Sequence, residues 1–180
     1  MVGLYWQELP VTDGILGVVA DDVRLQRIYY LASRRALRET LAREFPTAVF
    51  GNSDLLTEAV RQFDDVLHGR RRFFSLPLAS QQLSPFARAV GQALQQIPPG
   101  QTVSYAALAQ RAGFPKAARA VGRVMARNPF PIVIPCHRVI CSDGRPGQYS
   151  AARGTASKLR LLAAERRMFA GPQSPTAGES

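Results

Sequence analysis

Between residues 84 and 129 the chain is broken at four places by proline or glycine: Ser84-Pro85, Pro98-Pro99-Gly100, Gly113-Phe114-Pro115 and Asn128-Pro129. Proline has no amide donor and clashes with the preceding helical turn, and it pushes the residue before it out of helical geometry. The stretch therefore reads as three short helices. Ser84 is a good N-cap with Pro85 at the first helical position. Phe86, Ala89, Val90, Ala93, Leu94 and Ile97 then form an apolar stripe at helical spacing. Ser104 caps a second helix over residues 105–112, and a third is expected from Pro115 to about Arg127. Two short helices joined by a glycine-containing turn make a helix-turn-helix pattern. On the third helix Ala117, Val121, Val124 and Met125 lie inward. Lys116, Arg119, Arg123 and Arg127 recur at spacings of three or four on the other face. Ala120 and Gly122 keep part of that surface small, so a DNA backbone could come close.

The first half reads as a small α/β unit. Gly14–Ala20 and Leu25–Leu31 look like paired strands around Asp21-Asp22. Leu37, Leu41 and Phe45 mark an amphipathic helix that stops before Pro46, and Ser53 caps another, with Leu56, Val60, Phe63 and Val66 on one face and Gly69 past its end. Residues 73–78 read as a further strand. Glu8, Asp64 and Asp65 read as solvated surface carboxylates. Gln81 to Pro85 is the expected boundary, giving a support domain over 1–80, a second domain over 81–170 and a disordered tail over 171–180. The fold class is α/β: an antiparallel sheet with helices, followed by a mostly helical domain carrying a winged helix-turn-helix-like motif.

Charge narrows the partners. The 180 residues carry 23 basic and 13 acidic side chains, a formal net charge of +10, and only Lys116 and Lys158 are lysines. A polyanion such as nucleic acid fits this balance. Residues 1–10 include Gln7 and Glu8 and lack the basic start and apolar core of a leader. No apolar run approaches the roughly 20 residues of a membrane span. Two cysteines five positions apart make no secreted disulfide framework, so a reducing cytosol is expected. Cys136, Cys141, His137 and a distant His68 fall short of a structural zinc set. No metal and no cofactor is expected.

Apolar residues from Phe130 through Ile132-Val133-Ile134, read as a short buried extended segment, lead into Pro135-Cys136-His137-Arg138-Val139. A cysteine with a histidine and a carboxylate elsewhere in the chain is a candidate nucleophile–base set, although most buried cysteines are inert. Adjacent residues point apart in an extended segment, which makes direct Cys136–His137 pairing awkward. A Cys-dependent hydrolase and a transcription regulator with a structural cysteine remain open at this point. A loop follows at Cys141-Ser142-Asp143-Gly144 and Gly147. The last helix is expected over residues 157–168, with Leu159, Leu162 and Ala163 inward and Glu165 aboard.

These residues resemble a known family. Ile-Pro-Cys-His-Arg-Val at 134–139, with Asn128-Pro129 before it and Gly147-Gln148-Tyr149-Ser150 after it, is similar to the active-site region of O6-alkylguanine-DNA alkyltransferases. Ser104-Tyr105, the run Lys116 to Gly122 and the helix with Glu165 match in order and spacing, from Ser84 to about Glu165. The resemblance implies irreversible, stoichiometric transfer of an alkyl group from O6-alkylguanine, and from O4-alkylthymine, in double-stranded DNA to Cys136. His137 would act as base through a water, with Glu165 orienting it. Arg119 would fill the gap left by a flipped nucleotide during minor-groove binding. Tyr105 would rotate the 3′ phosphate and donate a proton near N3. Asn128 would brace the active-site loop, and Ser104, Lys116, Arg123, Ala120 and Gly122 would meet DNA. Val139, Tyr149, Ser150, Ala151 and Pro131 would shape the guanine pocket. Where the family often has Gly-Gly, this chain has Ala151-Ala152, which implies a narrower mouth. The implied protein is a monomer in the cytoplasm (nucleoid-associated, or nuclear in a eukaryote), with cooperativity on DNA left open. Alkyltransferase-like lesion markers share the architecture but lack the cysteine that stands here at 136.

Overall fold

The computed structural model describes residues 3–169. Its first part is a four-stranded sheet in the order β3-β2-β1-β4, built from β1 (Tyr5–Val11), β2 (Gly14–Ala20), β3 (Leu25–Leu31) and β4 (Val49–Phe50). The first three strands are antiparallel, and β4 adds two residues parallel to β1. Successive side chains of a strand point to opposite faces, and on β2 both faces are covered. Ile15 and Val19 meet Leu37 and Leu41 of α1 (Arg34–Glu44). Leu16 and Val18 meet Leu56 and Phe63 of α2 (Asp54–Leu67). Gly17 is required where α1 crosses: a Cβ there would sit 2.3 Å from Leu37 Cδ1. Ser33 and Ser53 cap the two helices, each accepting from the third residue on.

The second part holds α3 (Pro85–Gln95), β5 (Val103–Ser104), α4 (Tyr105–Arg111), α5 (Ala118–Ala126), β6 (Val139–Ile140) and α6 (Thr155–Phe169). Ser84 and Ser104 cap α3 and α4. The parallel pairing of β5 with β6 ties the start of the helix-turn-helix to the residues just after Cys136. The large core runs without a break from Leu16 and Phe63 through Leu94 and Leu108 to Val139, across the expected boundary at 81–85. Among the described residues no helix is long and apolar enough to cross a membrane.

Several local expectations are corrected. Residues 73–78 form no strand: Phe73 is exposed, and the only ladder contact is a bridge from Leu78 to Leu25. Pro77 cannot donate to a ladder. Helix α5 begins at Ala118, not Pro115, because Lys116 takes a left-handed conformation (φ 73). Ile132-Val133-Ile134 is a tight turn in which Ile134 N–H donates to the Phe130 carbonyl and Ile132 sits at φ 73. On α6 the buried positions are Ser157, Lys158, Leu162 and Glu165, while Leu159 and Ala163 face out. Glu8 pairs with Arg34 at 2.5 Å and is largely covered. The strand β1 and the short β4, β5 and β6 had no reading in the sequence, and the tail from Gly171 lies outside the described residues.

Candidate active site

Cys136, His137 and Arg138 form one 3-10 turn, with all three side chains buried. The turn directs His137 and Arg138 onto α6. His137 Nε2 lies 2.8 Å from Glu165 Oε1. Arg138 grips the same carboxylate through Nε and a terminal nitrogen, the latter at 2.7 Å, and its other terminal nitrogen donates to the Ile97 carbonyl. The Gly100 amide donates to Glu165 Oε2 at 2.9 Å. Burial pushes the Glu165 carboxyl up, but these donors outweigh it and hold it at about 2. Burial pushes His137 below its ordinary value against the pull of Glu165, so at neutral pH the imidazole is uncharged. With Glu165 ionised, Nε2 carries the hydrogen and donates. Nδ1 is then an acceptor, and it is buried with no hydrogen-bond partner among the described residues.

Asn128 fixes the approach to this turn. Its Nδ2 donates to the Ile134 carbonyl at 2.7 Å and its Oδ1 accepts from the Phe130 amide at 3.0 Å. One side chain thus clamps both ends of the loop that contains the left-handed Ile132. A β-branched residue at positive φ is strained and persists only where its surroundings dictate it. Burial pushes the Cys136 thiol up; Asn128, the charge of Lys158 and the Tyr149 side chain pull the other way. Tyr149 Oη is itself buried without a full hydrogen bond.

Cys136 opens onto a cavity of about 680 Å³. Tyr105, Arg119, Gly122, Arg123, Tyr149 and Ser150 line it, together with Cys141. At Gly122 a Cβ would stand 3.9 Å from the Tyr105 ring, an ordinary contact, so the approach of α5 to that ring does not itself require glycine. Gly147 is more constrained: it has φ 68, and a Cβ would lie 3.2 Å from Tyr105 Oη and 3.4 Å from Cys141 Sγ. Arg119 and Arg123 line the cavity and are exposed, and Lys116 and Arg127, just outside the two ends of α5, are exposed as well.

The structure thus brings Cys136, His137, Glu165, Asn128, Tyr105 and Tyr149 together. Other expected site residues make further contacts. Ser104 Oγ accepts from the Ala107 amide as the cap of α4, which leaves its own hydroxyl hydrogen free to donate. Ala120 lines a separate groove between α3 and α5, with Phe86 and Gly91. Ala151 is half-buried and packs against the large core just after the lining residue Ser150, and Pro131 is buried in its bridge to Ile134. Val139 is fully buried, and its carbonyl accepts from Lys158 Nζ at 2.5 Å. Arg138 and Lys158 had no role in the sequence reading. A signal existed for Lys158, one of two lysines among 23 basic residues. Arg138 offered none beyond its neighbours.

Comparison with known proteins gives the family. The family model described as "6-O-methylguanine DNA methyltransferase, DNA binding domain" matches residues 85–167. The constitutive methylated-DNA–protein-cysteine methyltransferase of Bacillus subtilis is 46% identical over 111 residues, 62% of this chain and 66% of that protein. The human methylated-DNA–protein-cysteine methyltransferase is 40% identical over 126 residues, 67% of this chain and 60% of that one. The chain thus covers less than two thirds of the length of each of these two relatives. The Methanosarcina acetivorans protein of the same name is 32% identical over 138 residues, 77% of this chain and 84% of its own. Among solved structures, Mycobacterium tuberculosis OGT in complex with DNA superposes with a TM-score of 0.75 at 28% identity, covering 91% of this chain and 94% of that one. The O6-methylguanine-DNA methyltransferase of Pyrococcus kodakaraensis gives 0.69 at 28% identity, covering 90% and 98%. On the extent of these matches, the chain belongs to the methylated-DNA–protein-cysteine methyltransferase family.

Proposed function

We propose that this protein repairs O6-alkylguanine in double-stranded DNA by taking the alkyl group onto Cys136. The observation that carries the reading is His137: a buried, neutral imidazole bound through Nε2 to an ionised Glu165, with Nδ1 left as a buried acceptor without a partner among the described residues, on the same 3-10 turn as the buried Cys136. A thiol pushed up by burial rests protonated. It needs a base at the moment of attack.

The thiol proton passes to His137 Nδ1 through a water, and the imidazolium that forms is stabilised by Glu165. Cys136 Sγ attacks the alkyl carbon, the S–C bond forms as the C–O6 bond breaks, and guanine leaves with the bond's electron pair. Tyr105 limits the charge on the leaving base by donating a proton near N3. A base stacked in a duplex hides its O6 substituent, so the nucleotide must be flipped, at a cost of about a few kcal/mol. Arg119, exposed and lining the cavity, occupies the vacated stack, while Arg123, Lys116 and Arg127 hold phosphates. The thioether is stable, so each molecule acts once. O4-alkylthymine presents the same alkyl–oxygen bond and is a second substrate.

The test is single-turnover transfer from an O6-methylguanine duplex to wild type and to Cys136→Ser. Wild type accepts one methyl group per chain. The variant still binds the duplex, with affinity falling as salt rises, and accepts none. Transfer by the variant would overturn the assignment.

A further inference from the structure

Lys158 is a fully buried cation that the proposed transfer does not use. It sits in the first turn of α6 at 0% exposure, with Nζ on the Val139 carbonyl. Among the described residues no carboxylate pairs with it, because Glu165 is committed to His137 and Arg138. A buried ammonium without a counter-charge is costly. Methionine would fill similar space without that cost.

Counting charge around the turn shows what Lys158 answers. Glu165 and Arg138 cancel, and His137 is neutral. Lys158 leaves the buried cluster one positive charge in excess. Tyr105 and Tyr149 face the same thiol, but burial holds both hydroxyls protonated. Asp13, from the sheet side, acts on Tyr149 and is matched by Arg160. The groups left to balance Lys158 are the thiols of Cys136 and Cys141; a negative charge on either favours the ammonium. The relation is reciprocal: the ammonium favours the Cys136 thiolate.

We propose that Lys158 is the counter-charge of the Cys136 thiolate, a positioning residue held behind the active-site turn by the Val139 carbonyl. The ammonium then offsets the charge that appears when Cys136 gives up its proton. The inference rests on Cys136 being the nucleophile of the proposed transfer, but its test needs no DNA.

The sequence supplies a clean probe, since Lys116 and Lys158 are the only lysines. In full-length protein carrying 13C-labelled lysine Cε, the NMR titration has two signals, with exposed Lys116 as internal control. Removing one member of a coupled pair shifts the other. In Cys136→Ala the Lys158 midpoint should fall by about one pH unit while Lys116 stays in place. Conversely, Lys158→Met should raise the midpoint of Cys136 labelling by iodoacetamide by about one unit. A purely structural Lys158 would slow labelling equally at every pH and leave that midpoint unmoved. An unmoved Lys158 signal in Cys136→Ala overturns the proposal, even if Lys158→Met does not fold. Failure of wild type to accept a methyl group from duplex DNA would count against the functional reading and leave the coupling standing.

Discussion

Two buried carboxylates flank α6, and they do different work. Glu165 points to the active-site turn; Asp13, in the β1–β2 turn, joins the sheet to the start of α6. Asp13 accepts from Tyr30 Oη and, at 2.5 Å, from Ser157 Oγ, with Arg160 at 3.3 Å. Burial pushes its carboxyl up, but Ser157, Tyr30 and Arg160 hold it below the usual range. Both groups are thus ionised and saturated with donors. The contrast lies in the partners. The cation on Asp13 is a half-exposed arginine, whereas the one on Glu165 is buried, at 6% exposure. The Asp13 network ends in hydroxyls that only hold elements together, since Ser157 Oγ also accepts from the Arg153 amide. The Glu165 network ends in an imidazole with a nitrogen to spare. A buried carboxylate therefore marks chemistry only when something reactive stands behind it.

Substitution can break this contrast. Glu165→Gln removes one partner of a buried ion pair and should cost about 3–5 kcal/mol of stability. Along with His137→Ala, it should slow methyl transfer by about 10²–10⁴-fold. The check is single-turnover rate against pH together with thermal melting; rate profiles unchanged from wild type would remove the relay. Asp13→Asn should cost about 1–3 kcal/mol yet leave the transfer rate within a few-fold of wild type. A rate loss matching that of Glu165→Gln would erase the distinction.

Acid sharpens the same comparison. The Glu165 carboxyl falls from an ordinary 4.5 to about 2 on folding. The unfolded chain therefore binds more protons between those values. The contribution, about 3 kcal/mol, is present above pH 4.5 and is lost as pH falls toward 2. His137, held below its ordinary value, adds to the loss as pH drops below 6.5. Urea unfolding of Glu165→Gln should show a shallower decline from pH 4.5 to 2 than wild type. An equal slope would place the acid sensitivity at other carboxylates.

The smallest effect concerns the loop between the two networks. Ala152 sits at φ 46 and donates its amide to the Tyr30 carbonyl at 2.7 Å. An L-residue resists that conformation and glycine does not. Ala152→Gly should raise stability by about 0.5 kcal/mol, the relief being offset by a freer unfolded chain, as read by denaturant midpoint. A destabilised variant would mean the surrounding packing, not the dihedral, dominates.

Sequence made the helices and the residues gathered at the candidate site legible, for physical reasons. Ser33, Ser53, Ser84 and Ser104 all cap helices because a hydroxyl before an apolar-periodic run satisfies the free amides. Strands β2 and β3 carry enough branched and aromatic residues to show. Strand β1 does not: Gln7, Glu8 and Pro10 break any clean alternation, and its pairing is fixed by β2. The run 130–134 misled because its apolar residues are buried in a turn held by Asn128, not in a strand, and composition cannot tell the two apart. Arg138, Lys158 and Asp13 carry roles that depend on partners 27, 19 and 144 positions away. No local pattern encodes such contacts.

The most direct test of the account is intact-protein and peptide mass spectrometry after incubation with duplex DNA containing one O6-methylguanine. Cys136 and Cys141 line the same cavity, so the site of modification must be resolved between them. The account requires the gain of one methylene unit per chain, confined to Cys136. A protein that stays unmodified beside consumed lesion, or carries the methyl group on Cys141, would contradict it.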